Sequence, residues 1–439
     1  MTTEKNNPRV MQGWAMYDWA NSVYNLVITT AIFPIFYGKV TTSIDKVSGK
    51  LIDTVTFFGY QFTNTELYNY VFSLAYLIVV FTAPLLSGVA DFTGNKKFFL
   101  KLFCYLGAVS CMCLFFFDVN FLEWSMLPVM LACVGFWGSL VFYNAYLPEI
   151  ADPHLHDKLS AKGFTLGYIG STLVLVLSLV ALTFLKNSGF KAQHIFLIVG
   201  IWWIGFAQIT YNRLPKALSR KTGGNPLTSG FKELMKVFKQ VQKLTVLKKF
   251  LSSYFVYNCA VQTVLIVAVP YANKEIFPPG DKSGLIVSVI IIQLVAAVGA
   301  IVMSRLSKRI GNISVLKMTV FVWMFCCIGG YLIQTPTQFY FLAAFVGFLM
   351  GGIQSMSRST FSKLLPETRD HASFFSFYDV SEKIGLVIGV FLFGFIEGIT
   401  HDMRQSILLL IVLFALGFLL LLRINKHDAE TLKKEELIA

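Results

Sequence analysis

Ser87-Gly-Val-Ala-Asp91-Phe-Thr-Gly94-Asn95-Lys96-Lys97 joins two long apolar runs, Tyr68–Ala90 and Phe98–Phe117. Each run has the roughly 20 residues that one helical crossing of a bilayer requires. Working outward, ten more such runs lie between Trp14 and Leu422. Lipid offers no partner to exposed backbone, so segments this long are helices. The alternating ten-residue segments of a membrane barrel are absent. The expected fold class is an all-α membrane protein with twelve transmembrane helices. Composition agrees: 55% of the 439 residues are hydrophobic and 14% charged, against about 25% charged in soluble domains. A water-soluble multidomain protein, a disordered chain and a disulfide scaffold are excluded.

The net charge of +13 does not point to nucleic acid, because the basic residues sit between apolar runs and not on one soluble face. With their flanks, the N terminus, the even-numbered loops and the C terminus carry 28 of the 37 Lys and Arg, and the odd-numbered loops eight. The positive-inside bias therefore puts both termini in the cytoplasm, and the short termini point to a bacterial inner membrane. No cofactor and no metal are expected. The seven cysteines lie in apolar runs without metal-ligand spacing to the histidines, and no glycine-rich strand-to-helix turn suits a nucleotide.

Three pairs recur in order: Tyr24-Asn25 with Tyr257-Asn258, Gly94-Asn95 with Gly311-Asn312, and Leu147-Pro-Glu149 with Leu365-Pro-Glu367. They divide the chain into a six-helix bundle over 1–211, a basic cytoplasmic linker over 212–249 and a second bundle over 250–439. Parallel repeats with a site at their interface are a secondary-transporter design. The linker starts with a flexible stretch, Lys221-Thr-Gly-Gly-Asn-Pro226, and continues as an amphipathic helix. Phe231, Leu234, Phe238, Val241 and Leu244 form one stripe, and Lys232, Lys236, Lys239 and Lys243 occupy other faces. Such a helix is expected to lie on the anionic inner leaflet.

The Ser87–Lys97 link resembles the signature of the major facilitator superfamily: a glycine, an acid, then a glycine and basic residues. It departs in the position of Gly88, in Phe92 where the signature has arginine, and in Asn95 where it has a basic residue. Asp91 can approach a positive helix N terminus, which the resemblance implies to be that of helix 11, with Lys96 and Lys97 marking the inner face. Three further stretches carry a narrower likeness. They are Tyr17-Asp18-Trp19-Ala20-Asn21-Ser22, Ser160-Ala-Lys-Gly163-Phe-Thr-Leu-Gly167-Tyr168-Ile-Gly170, and Gly351-Gly352-Ile-Gln354-Ser-Met-Ser357-Arg358-Ser359. Together they resemble the vacuole-effluxer-like family of that superfamily, whose fungal members are autophagy-related amino-acid exporters. The resemblance implies two six-helix pseudo-repeats, the major facilitator fold, working by alternating access with helices 1, 4, 7 and 10 lining the cavity.

A charge within a span costs about 2.5–3.5 kcal/mol on insertion scales, so each embedded charge needs a reason. Asp18 shares a helix face with Asn21, Ser22 and Asn25, which points to protein interior or water. Helix 7 presents Tyr254, Asn258 and Gln262, helix 4 ends with Tyr143 and Asn144, and helix 10 offers Gln354 and Arg358. These are the candidate solute contacts, with Asp18 for an ammonium and Arg358, a planar fork, for a carboxylate. In the alternative, Arg358 pairs with an acid at the inner rim as a gate. On helix 11, Asp379 and Lys383 are four apart and can pair. They join Asp91, Lys96 and Lys97 as candidate elements of a conformational latch, leaving Glu382 to find Arg358 or water. The embedded acids Asp18, Asp379 and Glu382 outnumber Arg358 and Lys383 by one, making Asp18 or Glu382 a candidate proton carrier. The expected protein is no enzyme but a monomeric secondary transporter in the lipid bilayer, moving a small polar organic solute with amino acids the leading class. A sugar, cell-wall fragment or drug is the alternative cargo, and a membrane-embedded enzyme or non-transporting receptor the alternative class.

Overall fold

The structure, a computed structural model, describes residues 5–44, 51–215, 225–278 and 282–424. Among them are twelve helices long and apolar enough to cross a membrane. The first six are α1 (Pro8–Thr41), α2 (Asn64–Thr93), α3 (Lys96–Phe116), α4 (Val119–Ile150), α5 (Pro153–Phe184) and α6 (Ala192–Arg213). The second six are α7 (Thr245–Glu275), α8 (Ser283–Ile310), α9 (Asn312–Leu332), α10 (Pro336–Lys363), α11 (His371–Thr400) and α12 (Met403–Leu422). Several run a turn or more beyond their apolar runs, because backbone hydrogen bonding continues where hydropathy no longer marks the helix. Local chemistry sets the ends. Thr63 with Glu66, and Thr335 with Gln338, form reciprocal capping boxes. Gly94 closes α2 at a φ of +69°, which a residue without Cβ adopts freely.

α1 is not one uniform helix. It is α-helical to Val23, π-wound over Tyr24–Ile32 and α-helical again from Phe33. Pro34 has no N–H for the preceding turn, and the Tyr68 hydroxyl donates to the Thr29 carbonyl at 3.4 Å. The connection from α1 to α2 contains two short antiparallel pairings. Ser43–Ile44 pairs with Leu51–Ile52, and Thr54–Phe57 with Tyr60–Thr63. The second turns on Phe58 (φ +47°) and Gly59 (φ +82°), the two positive φ values that a tight hairpin requires.

Packing repeats with the sequence. α1 packs on α5 and α6, α2 on α4, and α3 on α4 and α6; α7 packs on α11 and α12, α8 on α10, and α9 on α10 and α12. The contacts between the two sets obey the same rule. α5 packs on α8 and α10, as α11 packs on α2 and α4. This is the major facilitator arrangement of two six-helix pseudo-repeats. Its outer surface is apolar, with Phe184 79% and Phe341 77% exposed, as contact with acyl chains demands.

The α8–α10 crossing is tight enough to require glycine. A Cβ on Gly351 would lie 1.9 Å from the Ala296 carbonyl oxygen, a backbone atom with nowhere to retreat. Gly351→Ala is expected to cost at least the ~1–3 kcal/mol of ordinary overpacking. Gly394→Ala, with nothing within 4 Å of the added methyl, is the control and should leave the melting temperature nearly unchanged. Thermal unfolding in detergent compares the two.

The linker helix, Pro226–Lys243, divides the expected stripe between two environments. Gly230 and Val237 are its buried positions, Leu234, Val241 and Leu244 are half-buried, and Phe231 and Phe238 are exposed. The contact centres on Gly230 because two backbones meet there: a Cβ on Gly88 of α2 would lie 2.2 Å from the Gly230 carbonyl oxygen. At its outer edge, Lys236 joins Glu233 at 2.8 Å and Asp370 at 3.1 Å. Burial raises the Glu233 carboxyl above its usual range, as does the adjacent Asp370. Donation to Glu233 in turn raises the Lys236 ammonium. Residues 221–224 of the expected flexible start lie outside the described residues.

Candidate functional site

Arg358, from the second set of helices, is buried in the first. Its Nη1 and Nη2 each lie 3.2 Å from Asp18 Oδ2 on α1. Nε donates to Ser160 Oγ at 3.0 Å and Nη2 to the Ser160 carbonyl at 2.9 Å, both on α5, and Nη1 reaches Asn144 Oδ1 on α4 at 3.4 Å. The guanidinium lies over the rings of Phe164, Trp14 and Tyr143, at 4.1, 4.9 and 5.5 Å from their centroids. The Tyr143 hydroxyl donates to the same Asp18 oxygen at 2.9 Å, and the Trp14 indole to the Tyr143 carbonyl at 2.8 Å. α5 can pass this cluster because residue 163 is glycine: a Cβ there would lie 2.3 Å from Asp18 Oδ2. A planar donor fork serves this geometry, whereas a single ammonium does not.

A second charged group sits on α11. Lys383 is fully buried, with its Nζ 3.0 Å from Asp379 Oδ1, 3.1 Å from Glu382 Oε1 and 3.6 Å from the centroid of Trp137 on α4. The Tyr254 hydroxyl donates to Glu382 Oε2 at 3.0 Å, and the Tyr254 ring stacks on Tyr378 at 4.2 Å. Asp379 Oδ2 is buried without a hydrogen-bond partner among the described residues. Glu382 therefore does not find Arg358, whose charge Asp18 already meets. It shares Lys383 with Asp379, and the surplus acid of the embedded set belongs to this group.

The two sets also meet where the basic loops lie. Asp91 accepts from the N–H groups of Ala372 at 3.3 Å and Ser373 at 2.7 Å, first-turn donors that have no acceptor within α11. Lys96 lies 3.1 Å from Asp91, pairs with Glu149 and donates to the Arg369 carbonyl at 3.1 Å. His371 Nδ1 is 3.1 Å from Glu149. Across the interface, Asp157 of α5 accepts from Ser307 at 2.8 Å, Asn312 at 2.7 Å and Lys363 at 2.6 Å. Two parts of the expected latch stand elsewhere. Lys97 donates to the Leu214 carbonyl, just past the end of α6. The Asp379–Lys383 pair lies eight residues beyond the start of α11, about 12 Å at helical rise. Sequence reading missed Asp157 and Lys363, took His371 for a helix-end residue, and treated Glu149 and Asn312 only as markers of the repeat, although recurrence at helix junctions was their signal.

Of the remaining candidates, Asn21 is buried, Ser22 half-buried and Asn25 exposed, so the polar stripe leaves the packed interior at its Asn25 end. Asn25 is at the onset of the π winding, whereas its repeat mate Asn258, in an uninterrupted α-helix, is buried. Gln262 Nε2 lies 3.5 Å from Asn258 Oδ1, and Gln354 accepts from the Tyr168 hydroxyl at 2.5 Å. The amide nitrogens of Asn21 and Asn258 have no partner among the described residues.

The profile of the family described as "Vacuole effluxer Atg22 like" matches residues 6–433. The chain belongs to the Atg22-like vacuole effluxer family. YxiO of Bacillus subtilis (strain 168), named as an uncharacterized MFS-type transporter, is 28% identical, covering 96% of each chain. Autophagy-related protein 22 of Yarrowia lipolytica is 24% identical, over 87% of this Atg22-like chain and 80% of its own length. Among solved structures, FucP, a major facilitator superfamily transporter in its outward conformation, superposes with a TM-score of 0.69 at 14% identity, covering 95% and 98% of the two chains. That identity speaks for the fold alone. This Atg22-like protein is a multi-pass membrane protein and an MFS-type transporter.

Proposed function

We propose that this Atg22-like transporter moves a small solute bearing both an ammonium and a carboxylate, an amino acid, by rocking the bundles 1–211 and 250–439 about the Asp18–Arg358 pair. The observation that carries the reading is that pair: opposite charges from the two halves, buried together. Separating a buried ion pair without replacement is strongly unfavourable. A zwitterion brings the two charges that compensate, its ammonium to Asp18 and its carboxylate to Arg358. Asn21 and Asn258, whose buried amide nitrogens have no partner among the described residues, supply further polar contacts. Both termini are cytoplasmic in a bacterial inner membrane, so the polar contacts around Asp91 and Asp157 close the cytoplasmic side. A fungal relative from a family described as vacuole effluxers favours export. Coupling to protons falls to Glu382, one of two acids sharing Lys383.

Counterflow in proteoliposomes tests both parts. Unlabelled internal amino acids are expected to accelerate entry of labelled ones severalfold. Glu382→Gln should keep this exchange while losing its stimulation by an imposed pH gradient. Counterflow driven by sugars and flat to amino acids would overturn the substrate assignment. An equal response of the variant to the pH gradient would overturn the coupling.

A further inference from the structure

The linker helix has a second face that its contact with α2 leaves open. Leu227, Phe231, Met235 and Phe238 are 54, 53, 39 and 42% exposed, and their three- and four-residue spacing makes one stripe. Lys232, Lys239 and Lys243 are exposed and, with Phe231 and Met235, line one open groove. The helix holds four lysines and a single acid, Glu233, which is bonded to Lys236.

Depth follows from the docking partner. Gly230 lies against Gly88, within two turns of the end of α2 at Thr93. At that level of a membrane-crossing helix, headgroups give way to acyl chains, and an apolar stripe edged by lysines fits that boundary. The stripe also adjoins the bundle: Phe238 meets the half-buried Phe377 of α11 at 5.8 Å. A soluble partner would have to reach into the headgroup layer, whereas phospholipid already fills it.

The helix also touches both halves of the protein. It packs along α2 of the first, and through Lys236 and Phe238 it meets Asp370 and Phe377 of the second. Asp370 directly precedes α11, whose first N–H groups hold Asp91. Rocking one half against the other therefore strains one of these contacts. We propose that this face binds anionic phospholipid in the leaflet at the basic end, and that the bound lipid favours the conformation in which that end is closed. The attraction is the ordinary one between clustered lysines and an anionic surface. The inference is independent of which solute is carried.

The test uses the full chain carrying Cys113→Ser, with nitroxides on cysteines introduced at Asn212 and Arg423, the exposed basic-side ends of α6 and α12. Pulsed electron resonance reads the distance between them in nanodiscs of phosphatidylcholine alone or mixed with phosphatidylglycerol. Phosphatidylglycerol is expected to shift the population toward the shorter, closed distance. A variant with Lys232→Gln, Lys239→Gln and Lys243→Gln should lose that shift while keeping its melting temperature. Soluble glycerol phosphate should not reproduce it. An unresponsive parent protein, a variant that responds in full, or the same shift with soluble glycerol phosphate would each overturn the proposal.

Discussion

Arg358→Ala is expected to abolish counterflow and to lower thermal stability more than removal of both charges does. The substitution leaves the Asp18 carboxylate buried with the Tyr143 hydroxyl, and breaking a buried pair from one side costs about 3–5 kcal/mol. It also removes the donors to Ser160 and Asn144 and the cation among three aromatic rings. In Asp18→Asn with Arg358→Met the stranded charge is gone, so most of the stability should return while counterflow stays lost. Arg358→Lys keeps the charge but not the fork. One ammonium cannot meet Asp18, the Ser160 carbonyl and Asn144 together, so only part of the stability should return. Thermal unfolding and counterflow on the same preparations measure both effects. Equal destabilisation by the single and double variants would mean that the two residues do not act as a unit.

Lys383→Met should destabilise at least as strongly, because it strands two acids. Nothing else within the described contacts of Asp379 supplies a cation, and Glu382 keeps only its bond from Tyr254. The expected loss is again at least about 3–5 kcal/mol. Adding Asp379→Asn and then Glu382→Gln should restore stability in steps. Recovery should stay incomplete, since the contact of the ammonium with Trp137 is absent throughout, a cation–π term of about 2 kcal/mol when desolvated. Should the triple variant unfold no later than Lys383→Met alone, charge compensation is not what Lys383 provides there.

Much of the architecture is legible in one dimension because a bilayer is a severe solvent. It demands about 20 apolar residues per crossing and a closed set of backbone hydrogen bonds, so run length alone counts twelve helices. The Phe58-Gly59 hairpin was not read, because the alternation of Thr54–Phe57 and Tyr60–Thr63 is too short a signal within a long connection between spans. The linker stripe misleads for a different reason. Periodicity ranks faces by hydropathy, and glycine, which carries none, decided the contact at Gly230 because two backbones can meet there.

The embedded charges divide the two kinds of knowledge most sharply. That Asp18, Arg358, Asp379, Glu382 and Lys383 must be compensated, and that acids exceed bases by one, follows from residue identity and the cost of charge in hydrocarbon. Which partner each takes does not. Asp18 and Arg358 are 340 positions apart, and Asp157 meets Lys363 across 206. A pairing of that range depends on how two bundles face each other, a relation that no local pattern of side chains encodes. Helix count, repeat and charge surplus are thus properties of the chain. The assignment of the surplus acid to Lys383, and of Arg358 to the opposite half, is a property of the packed interface, because Coulomb energy depends on distance through space and not along the backbone.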